Sequence, residues 1–138
     1  MSGFEVSEAL AGASDFACDW ALCEVRLHRD GRFPWLLLLP RVRGAVELED
    51  VPQHDRAVLM EEIARAGRAV RVVGEMVGRP VEKLNVAAIG NVVPQLHIHV
   101  VGRRRDDGLW PDPIWGRGQA TVRSEAETRR LLEALRAA

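Results

Sequence analysis

The hydrophobic and polar positions near the start of this chain alternate with the period of a β-strand. Along residues 20–27 small and apolar side chains occupy one face, while the other face carries both tryptophan and charged side chains. Residues 33–39 are almost continuously apolar and end at Pro40, which predicts a second strand buried on both faces. Asp30 and Gly31 mark a tight turn between the two segments, so the sequence predicts a hairpin.

A helical period replaces this alternation in the middle of the chain, between residues 48 and 78. Asp50 is the predicted N-cap, with a glutamine three residues later completing a capping box, and Gly78 is the predicted end. The apolar side chains recur at spacings of four and three, which places them in one stripe along a long amphipathic helix: Leu59, Ile63, Ala66, Val70, Val73 and Val77.

Shorter patterns complete the predicted fold. Residues 83–90 and 95–101 are predicted strands, a short helix is expected around residues 7–11, and a capping box at Ser124 opens a C-terminal helix. Strands in pairs around one long helix favour an antiparallel sheet with helices on one face. We therefore predict the α+β class, with residues 1–138 forming a single domain.

Composition and charge narrow the range of functions. The chain has 138 residues, 47% of them hydrophobic, and a net charge of −1, so no global field attracts nucleic acid or an anionic membrane. We find no apolar run of about 20 residues and no secretory pattern at the N-terminus. The two cysteines form neither a redox pair nor a zinc framework, which favours a cytoplasmic location.

One segment carries the candidate chemistry. If residues 95–101 form a strand, Gln95, His97 and His99 project from one face and the apolar residues between them from the other. An imidazole pair of this kind serves either as a nucleophile and proton carrier towards phosphorus or as part of a metal site. The Gly90–Asn91 turn and a following run of arginines favour a phosphate-bearing substrate. Candidates for further metal ligands lack suitable spacing: His28, His54, Asp106, Asp107 and Asp112.

These residues resemble the histidine triad (HIT) superfamily, whose signature is His-φ-His-φ-His-φ-φ with φ apolar. The resemblance extends to the strand ending in Pro40 and Arg41, to Asn85, and to the Gly90–Asn91 turn, all in the expected order. It implies a HIT-like antiparallel sheet of about five strands with one long helix and a C-terminal helix, usually in a homodimer. It also implies a nucleotide-binding hydrolase or transferase that forms a nucleotidyl–histidine intermediate on a phosphoramidate or a dinucleoside polyphosphate, without cofactor or metal.

The resemblance also assigns roles to individual residues. His97 is the implied nucleophile, with its tautomer fixed by the backbone carbonyl of residue 95, and His99 contacts phosphate and assists proton transfer. Around them, the implied substrate-binding residues are Gln95, Asn91, Asn85, Gly90, Asp30 and Trp35.

The sequence departs from the HIT pattern at three positions. Gln95 replaces the first triad histidine, as in one bacterial branch of the superfamily. Trp35 lies where many relatives carry another histidine, and Val92 stands where a hydroxyl often donates to the leaving group. Because these supporting donors are lost, a non-catalytic nucleotide-binding module remains the alternative function, with a His-x-His metal site as a third.

Overall fold

The computed structural model describes residues 3–138 and contains one five-stranded antiparallel sheet, ordered β1-β2-β3-β5-β4. The strands are β1 (Ser14–Asp19), β2 (Cys23–His28), β3 (Trp35–Pro40), β4 (Lys83–Ala87) and β5 (Ile98–Arg103). The helices are α1 (Glu8–Ala13), α2 (Gln53–Met76) and α3 (Glu125–Ala137), and a short 3-10 helix spans Leu48–Asp50. The α+β class, the antiparallel sheet, the long helix and the C-terminal helix are confirmed.

The two faces of the sheet are covered differently. One face packs its apolar side chains, such as Leu36, Leu38 and Val100, against the stripe of α2 and against α3. The other face is covered by the N-terminal segment and the loop after β5, which bury a second cluster: Leu10, Phe33, Trp35, Leu37, Leu39, Val101 and Ile114. All six residues of β3 are buried, as the continuous apolar run predicted.

The first strand is the largest departure from the sequence-based prediction. β1 pairs with β2 along residues for which no strand was predicted, and β2 begins at Cys23 rather than at residue 20. A shift in register between Phe16 and Cys18 breaks the period of two, so the strand has no clean alternation in the sequence. The predicted short helix is present as α1, where the Ser7 side chain accepts a hydrogen bond from the Leu10 amide.

The start of the long helix also differs from the prediction. Asp50 does not cap α2; its carboxylate accepts from the amides of Val46 and Glu47 and closes the separate 3-10 helix. Pro52 is the N-cap residue of α2 and has no side-chain cap of its own, so the predicted capping box at this end is wrong. At α3 the predicted N-cap is confirmed, because the Ser124 hydroxyl accepts a hydrogen bond from the Glu127 amide.

The last strand is shorter at its start than predicted. β5 begins at Ile98, so Gln95 and His97 lie in the connection that leads into the strand. Within the described residues 3–138, we find no helix long and apolar enough to cross a bilayer.

Candidate active site

His97 lies immediately before β5 and is 6% exposed. Its Nδ1 atom is 2.7 Å from the backbone oxygen of Gln95. A carbonyl oxygen only accepts hydrogen bonds, so this contact requires the proton on Nδ1 and leaves the lone pair of Nε2 free. The contact agrees with the tautomer predicted from the sequence, and it prepares Nε2 to act as a nucleophile.

His99 is the second buried imidazole and is 8% exposed. Its ring centroid lies 5.0 Å from that of His97, with the two planes nearly perpendicular. The indole N–H of Trp35, on the neighbouring strand β3, donates to His99 Nδ1 over 3.0 Å. The two histidines therefore carry their protons on different ring nitrogens, and His99 presents an N–H where His97 presents a lone pair.

A third histidine, which the sequence raised only as a metal candidate, extends this group. The ring of His28 stacks on Trp35 with centroids 3.7 Å apart and planes 4° apart. In the hairpin register Leu27 faces Leu36, so the next pair outward is His28 and Trp35. The hairpin prediction therefore contained a signal for this contact, although sequence reasoning did not place His28 in the site.

Burial sets the charge of two of these rings. Burial lowers the pKa of His99 to about 3, and the neighbouring His97 and His28 lower it further. Burial likewise lowers the pKa of His28 to about 4, against the opposing effect of the Asp30 carboxylate. Both rings are consequently neutral at pH 7.

The Gln95 side chain does not face the imidazoles as the strand prediction required. Its Oε1 accepts from the Ser7 amide at 2.8 Å, and its Nε2 donates to the Glu5 carbonyl at 2.7 Å. The side-chain amide thus holds the N-terminal segment against the residue whose own carbonyl orients His97. No pattern in the sequence indicates this contact, because its partners are 88 and 90 residues away.

Two cavities meet at His97. One, of about 200 Å³, lies between the loop that contains Glu47 and Glu49 and the end of β4. The other, of about 190 Å³, contains both His97 and His99 and is lined by residues 89–93 and by Trp115. Gly90, at a φ of 65°, turns the chain here, so the predicted Gly90–Asn91 turn does border the histidines.

Trp115 comes from the loop after β5 and closes this second cavity. Its ring lies 5.4 Å from His99 between centroids, in an edge-to-face arrangement. Among the described residues, its indole nitrogen is the one buried side-chain nitrogen or oxygen without a hydrogen-bond partner. Residue 115 thus brings the loop after β5 to the edge of the cavity that contains both histidines.

Asn85 and Asp30 already have partners within the chain. Asn85 Oδ1 accepts from the buried guanidinium of Arg103 at 2.9 Å, which leaves its amide N–H groups available. The Asp30 carboxylate is 4% exposed, pairs with Arg32 at 2.8 Å and accepts from the Thr121 amide. Neither residue lines the two cavities beside His97. In the part of the chain that the structure describes, no three His, Cys, Asp or Glu side chains are grouped to hold a metal ion.

Comparison with protein families agrees with this arrangement. The profile of the HIT domain family matches residues 13–106, which is more than half of the chain. This chain belongs to the HIT domain family. None of the curated proteins compared with the chain matches it.

Solved structures of HIT proteins superimpose on the chain over nearly its whole length. A histidine triad protein from Bradyrhizobium japonicum is 38% identical, with a TM-score of 0.87 over 97% of this chain and 96% of that one. One from Sinorhizobium meliloti is 33% identical, with a TM-score of 0.90 over 98% and 96%. One from Marinobacter aquaeolei is 33% identical, with a TM-score of 0.84 over 97% and 94%.

Two of the residues that the sequence analysis described as departures from the HIT signature make structural contacts in this chain. Gln95 supplies the backbone carbonyl that contacts His97 and uses its side chain to hold the N-terminal segment. Trp35 supplies a hydrogen-bond donor to His99. The Val92 side chain is 93% exposed and has no hydrogen-bond donor to offer a ligand in the cavity.

Proposed function

We propose that this HIT protein is a nucleotide-binding hydrolase or transferase whose nucleophile is His97. The supporting observation is the 2.7 Å contact between His97 Nδ1 and the Gln95 carbonyl, which leaves Nε2 free to attack. A bond from Nε2 to the α-phosphorus of a nucleoside phosphoramidate or a dinucleoside polyphosphate forms as the bond to the leaving group breaks. Water or another acceptor then resolves the nucleotidyl–histidine, because imidazole is both a nucleophile and a good leaving group.

Donors around the cavity would receive the charge that develops on phosphorus. His99 directs its N–H towards the phosphoryl oxygens, and the Asn91 amide and the backbone N–H groups of its turn supply further donors. Asn85 and Asp30 are proposed to contact phosphate and ribose, as the resemblance implies, once their internal hydrogen bonds rearrange. The protein would fall in the bacterial branch with glutamine at the first triad position.

The assembly and the location are part of the same proposal. Two copies are expected to form a homodimer, and β4 offers a sheet edge that carries the half-exposed side chain of Val86. Light scattering of the purified protein tests this expectation, and a monomer at micromolar concentration contradicts it. Both cysteines are free thiols, in keeping with a cytoplasmic protein.

The covalent intermediate gives the most direct test. The protein is incubated with adenosine 5′-phosphoramidate or diadenosine tetraphosphate and quenched, and the peptides are analysed by mass spectrometry for an adenylyl group on His97. His97→Ala is expected to abolish both adduct and turnover. His54→Ala is the matched control, because that ring is exposed on α2 with its side chain 83% accessible, and it is expected to retain both.

A binding module without turnover is the second candidate function, favoured by the exposed Val92 in place of a hydroxyl donor. Calorimetric titration with AMP and GMP separates the two candidates. Micromolar binding with neither adduct nor turnover supports the module. Absence of adduct, turnover and binding rejects both.

A further inference from the structure

We propose that Trp35 is a positioning residue that locks His99 as the Nε2–H tautomer and so makes it a fixed hydrogen-bond donor. Indole has one N–H and no acceptor atom in its ring plane, so the 3.0 Å contact to His99 Nδ1 has a single polarity. A histidine at position 35 could either donate a hydrogen bond to His99 or accept one from it. Tryptophan can only donate.

The indole is itself held in place on the sheet. His28 stacks flat against it at 3.7 Å, and Phe33 meets it edge-on with centroids 6.4 Å apart. The His28 ring is fixed in turn, because its Nδ1 accepts from the Asp30 amide at 3.0 Å. Three adjacent strands, β2, β3 and β5, thus carry a rigid series of rings that ends at His99.

The locked tautomer limits what His99 does in the reaction. A proton on Nδ1 would point at the indole N–H, so the doubly protonated ring is disfavoured at this position. Burial, which lowers the pKa of His99, acts in the same direction. A neutral ring that gave up its Nε2 proton would become an imidazolate, which is far too basic to form near pH 7. His99 therefore stabilises phosphoryl oxygens and does not protonate the leaving group.

Apart from the two histidines, the described residues that line the two cavities include only two side chains that could carry an acidic proton, Glu47 and Glu49. In the cavity shared with His99, the Asn91 amide and the Trp115 ring are joined by apolar side chains: Ile89, Val92 and Val93. The other cavity beside His97, of about 200 Å³, contains these two glutamates, whose carboxylates accept hydrogen bonds when ionised. The described lining of both cavities thus favours a leaving group that departs without a proton.

This inference rests on the proposed function and selects between its two substrate classes. His97 Nε2 bonds to the α-phosphorus, the bond to the bridging oxygen breaks, and the electron pair leaves with a phosphate anion that needs no proton. Water then attacks, the imidazole leaves as the neutral Nδ1–H ring, and one water proton passes to solvent. Dinucleoside polyphosphates meet this requirement, whereas an amine in a P–N bond must be protonated before it leaves.

The tautomer is tested without any activity measurement. Long-range proton–nitrogen NMR correlation on protein labelled with ¹⁵N-histidine distinguishes Nδ1–H from Nε2–H for each ring. We expect Nε2–H for His99 in the wild type, a mixture in Trp35→Phe, and no change in the matched control Trp110→Phe. Should Trp35→Phe not fold, His28→Ala, which removes the stacked ring and the acceptor of the Asp30 amide while keeping the indole, is expected to broaden the tautomer population. An Nδ1–H signal for His99 in the wild type overturns the proposal.

Leaving-group dependence tests the consequence for catalysis. We expect kcat/KM for diadenosine tetraphosphate to exceed that for adenosine 5′-phosphoramidate by about 10²-fold or more, the lower end of what general acid catalysis contributes. Trp35→His, which restores a titratable neighbour, is expected to narrow the ratio. Equal kcat/KM values for both substrates overturn the inference. Absence of turnover and adduct with either substrate instead rejects the proposed function and leaves the NMR result standing.

Discussion

Replacing Gln95 with alanine separates the two roles that the structure gives this residue. The side chain joins two backbone groups of the N-terminal segment, through hydrogen bonds of 2.8 and 2.7 Å, whereas the backbone carbonyl orients His97. Alanine removes the first pair of contacts and keeps the second. We therefore expect Gln95→Ala to lose stability and to retain the nucleophile.

The size of the loss follows from the number of hydrogen bonds. Each bond contributes about 0.5–1.5 kcal/mol net, so two give about 1–3 kcal/mol of unfolding free energy. Gln95→Glu is expected to cost at least as much, because its carboxylate still accepts from the Ser7 amide but faces the Glu5 carbonyl without a proton to donate.

Urea unfolding measures this loss, and amide hydrogen exchange of residues 5–10 shows whether the N-terminal segment has loosened. Gln119→Ala is the matched control, since that side chain lies on an exposed loop. If Gln95→Ala left stability and exchange unchanged but abolished nucleotide binding, the side chain would contact substrate, and its assigned role in holding the N-terminal segment would be wrong.

Three further predictions concern packing and charge. Glu62→Ala is expected to lower the unfolding free energy by about 2–6 kcal/mol in urea titrations, because the two buried backbone amides at the start of β2, those of Leu22 and Cys23, lose their acceptor. A loss under about 1 kcal/mol contradicts this prediction. Gly102→Ala is expected to lower the unfolding free energy by about 1–3 kcal/mol in the same assay, since a Cβ would lie 2.5 Å from Val81 Cγ2. An unchanged unfolding free energy would mean that the surrounding strands shift to make room for the methyl group. Folding lowers the pKa values of His28 and His99 to about 4 and 3, so below pH 6.5 the unfolded chain binds more protons than the folded one. The unfolding free energy is therefore expected to fall from pH 6.5 towards pH 4. An unfolding free energy that does not change over this range contradicts the buried neutral rings.

Local patterns in the sequence predicted those helices and strands that are determined by residues close together in the chain. The α2 stripe, the apolar run of β3 and the serine cap of α3 each depend on neighbours within a few residues. β1 was missed because it is an edge strand with an irregular register, and fewer than half of its residues are buried. Asp50 was assigned to the wrong helix because a capping signature does not distinguish a 3-10 turn from the α-helix that follows.

The candidate site was predicted in part for the same reason. His97, His99 and the carbonyl of residue 95 lie within five positions of one another, so a short motif brings them together. The partner of the Gln95 side chain, the His28 stack and the Trp115 wall depend on contacts between distant segments. Such contacts leave no periodic signal, and only the assembled sheet shows them.

The strand that follows His97 is an inner member of the sheet, hydrogen-bonded to β3 on one side and to β4 on the other. Any displacement of His99 would break ladders on both sides at once. The walls that face a ligand, at residues 88–93 and at Trp115, belong to connections outside those ladders. We therefore expect natural variants of this fold to differ mainly in the sequences of those connections, while the two imidazoles keep their positions. Libraries designed for new selectivity should vary the same connections.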